Sequence, residues 1–280
     1  MNSFVRLARR FVSPQQFLLA LAACLALAPH SSAQSTDDPT PEANPGRPTV
    51  ATPATLTPVG YLQFETGFLG AHQSPEFSSQ YNWVETTKLS VASRLEFLAS
   101  LEPVARNTAA GISSTDAGDI ALGVQALLCR GEGAKPSIAL SYFGRVHTGA
   151  AADLDFGSPS NSLLLLVSAD VHGFHYDANA FFNDLSDGRA HRAQFGQTLS
   201  ISHPLAGKFS LTGELWHFTQ PFLHGNAVGN LWSLGYNARK NLVFDAGFEH
   251  GFTTTSTRWE YFAGITYVLP HRLWPSQPSK

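Results

Sequence analysis

From Gly60 to Leu269 the chain alternates apolar and polar residues with a period of two, in runs of about ten residues separated by polar or glycine-rich joins. The pattern is plainest in the last hairpin, Asn241 to Leu269, which reads NLVFDAGFEHGFTTTSTRWEYFAGITYVL. Successive side chains of a strand point to opposite sides, so Leu242, Phe244, Ala246 and Phe248 share one face while Val243, Asp245, Gly247 and Glu249 share the other. In the second arm Trp259, Tyr261, Ala263, Ile265, Tyr267 and Leu269 oppose Glu260, Phe262, Gly264, Thr266 and Val268. One surface is greasy with aromatic edges and the other mixes carboxylates, hydroxyls and glycine, which is the dyad of a membrane barrel strand. A soluble sandwich strand also alternates, so the recurrence of the pattern and the lengths of the joins decide.

Twelve such runs follow one another: Gly60 to Gly70, Gln80 to Leu89, Arg94 to Val104, Asp119 to Cys129, Pro136 to His147, Asn161 to His172, Phe174 to Asn183, His191 to Ser202, Lys208 to His217, Ala227 to Asn237 and the two arms of the closing hairpin. The joins after the even-numbered runs are short, as at Ser90 to Ser93, Gly173 and Ala238 to Lys240. Those after the odd-numbered runs are mostly longer and polar, as at Arg106 to Gly118, Thr148 to Ser160 and Phe218 to Asn226. An even strand count with alternating turn lengths predicts an all-β fold, a transmembrane up-and-down antiparallel β-barrel of about 12 strands over residues 59–269. Short turns then face the periplasm, with both termini, and long loops face outward. A propeller also has many short strands but lacks this two-sided asymmetry.

The N-terminus reads as an export signal over residues 1–33. Arg6, Arg9 and Arg10 precede an apolar core, Phe17 to Ala28, and Ser31-Ser32-Ala33 is a small-residue cleavage site. The core is shorter than the ~20 residues of a membrane helix and stops at Pro29. Leu21-Ala22-Ala23-Cys24 and Arg9-Arg10 also allow a lipobox or a twin-arginine reading. Residues 34–58 form a leader rich in Pro, Thr and Ala without apolar periodicity, either a periplasmic tether or a segment that lies inside the barrel. Loss of the three signal arginines leaves fifteen Lys and Arg against twenty-one Asp and Glu, a net charge of −6, which disfavours nucleic acid as a partner. Of the 2 cysteines only Cys129 follows the signal, so no internal disulfide is expected.

Inside hydrocarbon the backbone must pair within the protein and the outer face must be apolar. Outer-membrane lipid is thus one expected partner, with Trp259, Tyr261 and Tyr267 toward its interfaces. Charge belongs to the lumen, whose expected lining is Glu65, Arg94, Glu96, Asp119, Arg145, Asp170, Asp177, Glu214, Asp245, Glu249 and Glu260. Arg94 and Arg145 are expected to pair with some of these acids.

Several segments in order carry a resemblance: Arg47-Pro48 through GYLQFETGF, GDIALG at Gly118 to Gly123, GEL at Gly213 to Leu215 and NLVFDAGFEHG at Asn241 to Gly251. Together they resemble the outer-membrane transporters grouped with meta-pathway phenol degradation, over nearly the whole chain after the signal. The resemblance implies a channel for small, often aromatic, organic solutes. The chain departs from the usual ending of such barrels, an aromatic residue read by the barrel-assembly machinery, because Tyr267-Val268-Leu269 is followed by a polar tail, 270–280.

Twelve-stranded barrels include lipid-cleaving enzymes, and His147, His172, His175 and His191 with Asp170 and Asp177 raise a catalytic or metal reading. No nucleophile motif, HExxH or Cys/His cluster accompanies them, so no catalytic residue, metal or cofactor is expected. Two functions stay open: a passive channel, whose acidic lumen favours cations and neutral molecules, and a closed barrel acting through its loops. Phe143, Phe181 and Phe262 fall on the inner face, where they greet a solute or fill space.

Overall fold

In the computed structural model the described residues are 41–149, 159–187 and 189–274. The expected signal peptide and cleavage site, the start of the expected leader, much of the Thr148 to Ser160 join and the end of the tail lie outside the described residues.

The strands are β1 (Leu62–His72), β2 (Ser79–Ala92), β3 (Leu95–Ala109), β4 (Ile112–Asp116), β5 (Ile120–Cys129), β6 (Ser137–His147), β7 (Asn161–Val171), β8 (Phe174–Ser186), β9 (His191–Pro204), β10 (Phe209–Gln220), β11 (Gly225–Arg239), β12 (Leu242–Gly251) and β13 (Trp259–Val268). Each pairs antiparallel with its neighbours, β1 joins β13, and β2 joins both β1 and β3, so the sheet closes on itself. The result is a closed antiparallel barrel of twelve strands, because β4 pairs only with the upper part of β3. Closure satisfies every ladder without recourse to water, the condition for a strand protein in lipid.

Tight turns gather at one rim. His172 and Gly173 both adopt positive φ, 52° and 83°, as a two-residue hairpin turn requires. The opposite rim differs from the expected loops in two places. Arg106 to Gly118 is a projecting hairpin, because β3 continues to Ala109 and returns through β4 after the left-handed pair Ala110 (φ 49°) and Gly111 (φ 80°). Phe218 to Asn226 is likewise shortened, since β10 reaches Gln220 and β11 begins at Gly225. Above the lipid both faces of a strand are wet, so these extensions carry no alternation for a period of two to reveal.

Burial is inverted relative to a soluble protein. Phe97, Leu122, Leu140, Leu165, Leu199, Leu215 and Leu234 are exposed on the outer wall, while Gln63, Glu65, Glu96, Gln125, Glu214 and Thr266 are buried on the inner one. Aromatic contacts gather at the rims: Trp259 packs on Tyr261 and His250 at the loop end, and Phe209 on Tyr236 at the turn end. Tyr267 lies beside Leu242, near the turn end. Leu215, 60% exposed near the middle of β10, is the sharpest test of this inversion. Leu215→Arg is expected to cost about 2–4 kcal/mol of stability, the depth-dependent penalty of a lipid-facing arginine. Urea titration of the barrel refolded into vesicles reads this directly.

Candidate functional site

Residues 41–58 contain Pro41, Pro45, Pro48, Pro53 and Pro58. Each proline lacks an N–H, so the segment cannot join a ladder, and its remaining amides need acceptors from elsewhere. The inner wall supplies them in sequence. Asn44 N–H donates to Gln63 Oε1 of β1 at 2.9 Å, and Gly46 and Arg47 donate to the two carboxylate oxygens of Glu65 at 3.0 and 3.1 Å. The Arg47 guanidinium reaches Asp245 of β12 at 3.3 Å. Val50 and Ala51 donate to the two oxygens of Glu214 on β10 at 2.9 and 2.7 Å. Thr52 exchanges bonds of 2.6 and 3.0 Å with the Asn179 amide of β8. Ala54 donates to Ser168 Oγ of β7 at 2.7 Å, and Gln125 of β5 donates to Pro53 O at 3.0 Å. Thr57 donates to Glu96 of β3 at 2.9 Å, and Gly60 N–H then meets Ser90 O of β2 at 2.8 Å. The segment therefore travels once around the inside of the barrel and arrives where β1 begins. Asn44 Nδ2 donates to Thr55 O at 2.8 Å and ties the start of this collar to its end.

The carboxylates act here as bidentate acceptors for consecutive amides, charge-assisted bonds that are stronger than neutral ones. Lys88 Nζ lies 2.5 Å from Glu65 Oε1, both side chains being almost fully buried. Gly67 and Gly264 face each other across β1 and β13. A Cβ on either would sit 2.6 or 2.7 Å from the Arg47 guanidinium, so the paired glycines are the slot that admits it.

Among the described residues, cavities remain on both sides of the collar. One of about 410 Å³ lies between the collar and the loop rim, walled by Leu69, Leu98, Phe143, Leu164, Phe181 and Phe262. The other, about 220 Å³, lies on the turn side among hydroxyls including Ser200, Ser202, Ser210 and Ser233. Arg47, Pro48 and Thr49 line both, so this arch of the collar is the partition between them.

Residues 40–269 match the family described as "Putative MetA-pathway of phenol degradation". The chain belongs to this family. The chain is similar to an outer-membrane channel from Pseudomonas putida F1, with a TM-score of 0.54 and 13% identity over 81% of this chain and 100% of that one. It is also similar to the NanC porin, with a TM-score of 0.52 and 10% identity over 74% of this chain and 100% of the porin. At these identities the likeness is one of fold. No curated protein matches.

The expected lumen residues separate by height along the barrel. Glu65, Glu96, Asp177, Glu214 and Asp245 are buried at the level of the collar, and all but Asp177 bond it directly; Asp177 accepts from Ser168, which holds Ala54. Glu249 and Glu260, opposed across β12 and β13, line the larger cavity. Asp119 pairs with Arg145 at 3.0 Å and also accepts from Gly149 N–H at 2.6 Å, at the loop end. Arg94 and Asp170 are not in the lumen. Each flanks a tight turn, where the inward face ends below the sheet: Arg94 is exposed and reaches Leu128 O at 3.5 Å, and the Asp170 side chain is 66% exposed. The expected pairing of Arg94 with an acid thus gives way to a carbonyl at the end of β5.

The histidines do not converge on a nucleophile. His175 bridges Asp170 at 2.8 Å and Asp177 at 3.1 Å, while the nearby Ser168 hydroxyl bonds Asp177 rather than the imidazole. His147 is exposed and His172 is a turn residue; His191 meets Asp184 at 3.0 Å. Sequence reasoning missed Lys88 and the ion-pairing role of Arg47. Lys88 sits in phase with the inward Gln80, Asn82 and Thr86, and that phase is a signal that could have found it.

Proposed function

We propose that this chain is an outer-membrane channel for the passive uptake of small, neutral organic solutes of aromatic or otherwise apolar character. The observation that carries the reading is the larger cavity: a chamber whose walls include three phenylalanines and several leucines, on the loop side of a collar, inside a barrel whose outer wall suits lipid. Its volume falls in the ~300–1,000 Å³ range of small-molecule sites. Acids outnumber cations around it, so anions are the disfavoured class. Membership of the phenol-degradation family supports the same solutes. The Ser168–Asp177–His175 chain holds the collar to the wall and needs no enzymatic role.

A shut barrel acting through its loops is the second reading, favoured by the partition at Arg47 to Thr49. Uptake of radiolabelled toluene and phenol by porin-deficient cells, with and without the expressed chain, separates the two. The channel reading expects faster entry when the chain is present. Equal entry, with the barrel folded in the outer membrane, leaves the shut barrel.

A further inference from the structure

One polar side chain bordering the larger cavity has spare hydrogen-bonding capacity. Asn183 of β8 is 2% exposed and points inward beside Ser162 of β7 and Gln194 of β9. Its Nδ2 donates to Gln194 Oε1 at 2.8 Å, which fixes the plane of the amide. Its Oδ1 has no partner among the described residues, nor has Nε2 of Gln194. A buried amide atom left in this state is destabilising, and a protein keeps few of them.

The surroundings say what would relieve it. Two residues along the same face is Phe181, edge-on to Phe218 with ring centroids 5.2 Å apart. Gly196 lies between the strands that carry these rings, and a Cβ there would overlap the Phe218 ring, so the aromatic panel lies close against the wall. The cations that line the cavity are already matched, Arg47 with Asp245, Lys88 with Glu65 and Arg145 with Asp119, so among the described residues it offers no unpaired cation to an anionic guest. A chamber of about 410 Å³ with phenylalanine and leucine on its walls, no unpaired cation among the described residues and one under-satisfied amide at its edge admits a neutral ring bearing a single hydroxyl. A hydroxyl both donates and accepts, so it serves the Asn183–Gln194 pair in either amide orientation.

We propose that Asn183, held by Gln194, is the polar recognition point of the lumen and selects hydroxylated over plain aromatic solutes. The inference rests on the channel reading in one respect, that solutes enter this cavity.

The test is equilibrium binding of phenol and of toluene, which replaces the hydroxyl by a methyl group, to the refolded chain in lipid nanodiscs, with partition into empty discs subtracted. Phenol should bind roughly three- to tenfold more tightly than toluene, the range of one net hydrogen bond. Asn183→Leu should bring that ratio to unity while toluene binding persists. Ser100→Ala, which removes a hydroxyl from β3, four strands away around the same cavity, should leave the ratio unchanged. Equal binding of the two solutes by the unmodified protein overturns the proposal without reference to any variant, as does a ratio that survives Asn183→Leu or collapses with Ser100→Ala. Absence of binding by both solutes also overturns it, while the uptake measurement judges the channel reading separately.

Discussion

Removal of residues 41–58 is expected to raise the single-channel conductance several-fold and to shift selectivity toward cations. The expectation follows from what the collar occupies and what it neutralises. Residues 47–49 are the partition between the two cavities, so their loss joins a chamber of about 410 Å³ to one of about 220 Å³ along one axis. The same deletion takes backbone donors from Glu65, Glu96 and Glu214 and the Arg47 guanidinium from Asp245. Lys88 is the one buried cation left at that height among the described residues. A ring of carboxylates with a single lysine attracts cations and repels anions. Planar bilayer recordings of the full and truncated chains in a salt gradient measure both effects through current steps and reversal potential. Arg47→Ala should give a smaller rise, because the amides of Gly46, Val50 and Ala51 still hold the arch to Glu65 and Glu214. Unchanged conductance on truncation would show that the collar does not obstruct the path.

Lys88→Met is expected to destabilise the barrel by about 3–5 kcal/mol, the usual cost of removing one partner from a buried ion pair. Lys88 and Glu65 are 4% and 3% exposed at the side chain, and their 2.5 Å contact is the closest ion pair among the described residues. Methionine keeps the length of the side chain but leaves Glu65 with only neutral donors, the amides of Gly46 and Arg47 and the Gln63 side chain. Glu65→Gln on the same background should recover most of the loss, since the amide carries no charge to strand. Urea unfolding of the single and double variants in vesicles completes the cycle. A loss as large in the double variant as in Lys88→Met alone would point to lost packing by the lysine stem instead.

The family resemblance rested on short glycine-bearing segments, and two of those glycines turn out to have a spatial reason. Gly67 of GYLQFETGF is one half of the Arg47 slot, and Gly123 of GDIALG lies under the Phe143 ring, where a Cβ would collide with it. Neither role is visible locally, because each depends on a side chain from another strand or from the leader.

Which face of each strand meets lipid, how many strands close the barrel and which rim carries the tight turns were all legible in the chain. Lipid on one side and polar groups on the other impose a period of two on every strand, and that period is a local property of the sequence. Height along the barrel axis was not local. Arg94 and Asp170 have the inward phase of Glu96 and Asp177 yet lie at the turn rim, because alternation fixes a side and says nothing about depth. The path of residues 41–58 was decided only by tertiary structure. The segment has no periodicity, its prolines bar it from any ladder, and its acceptors stand on strands far away in sequence, Glu214 being 164 residues from Val50. Those acceptors come to one level only when the barrel closes, so nothing within the leader itself could announce where it would lie.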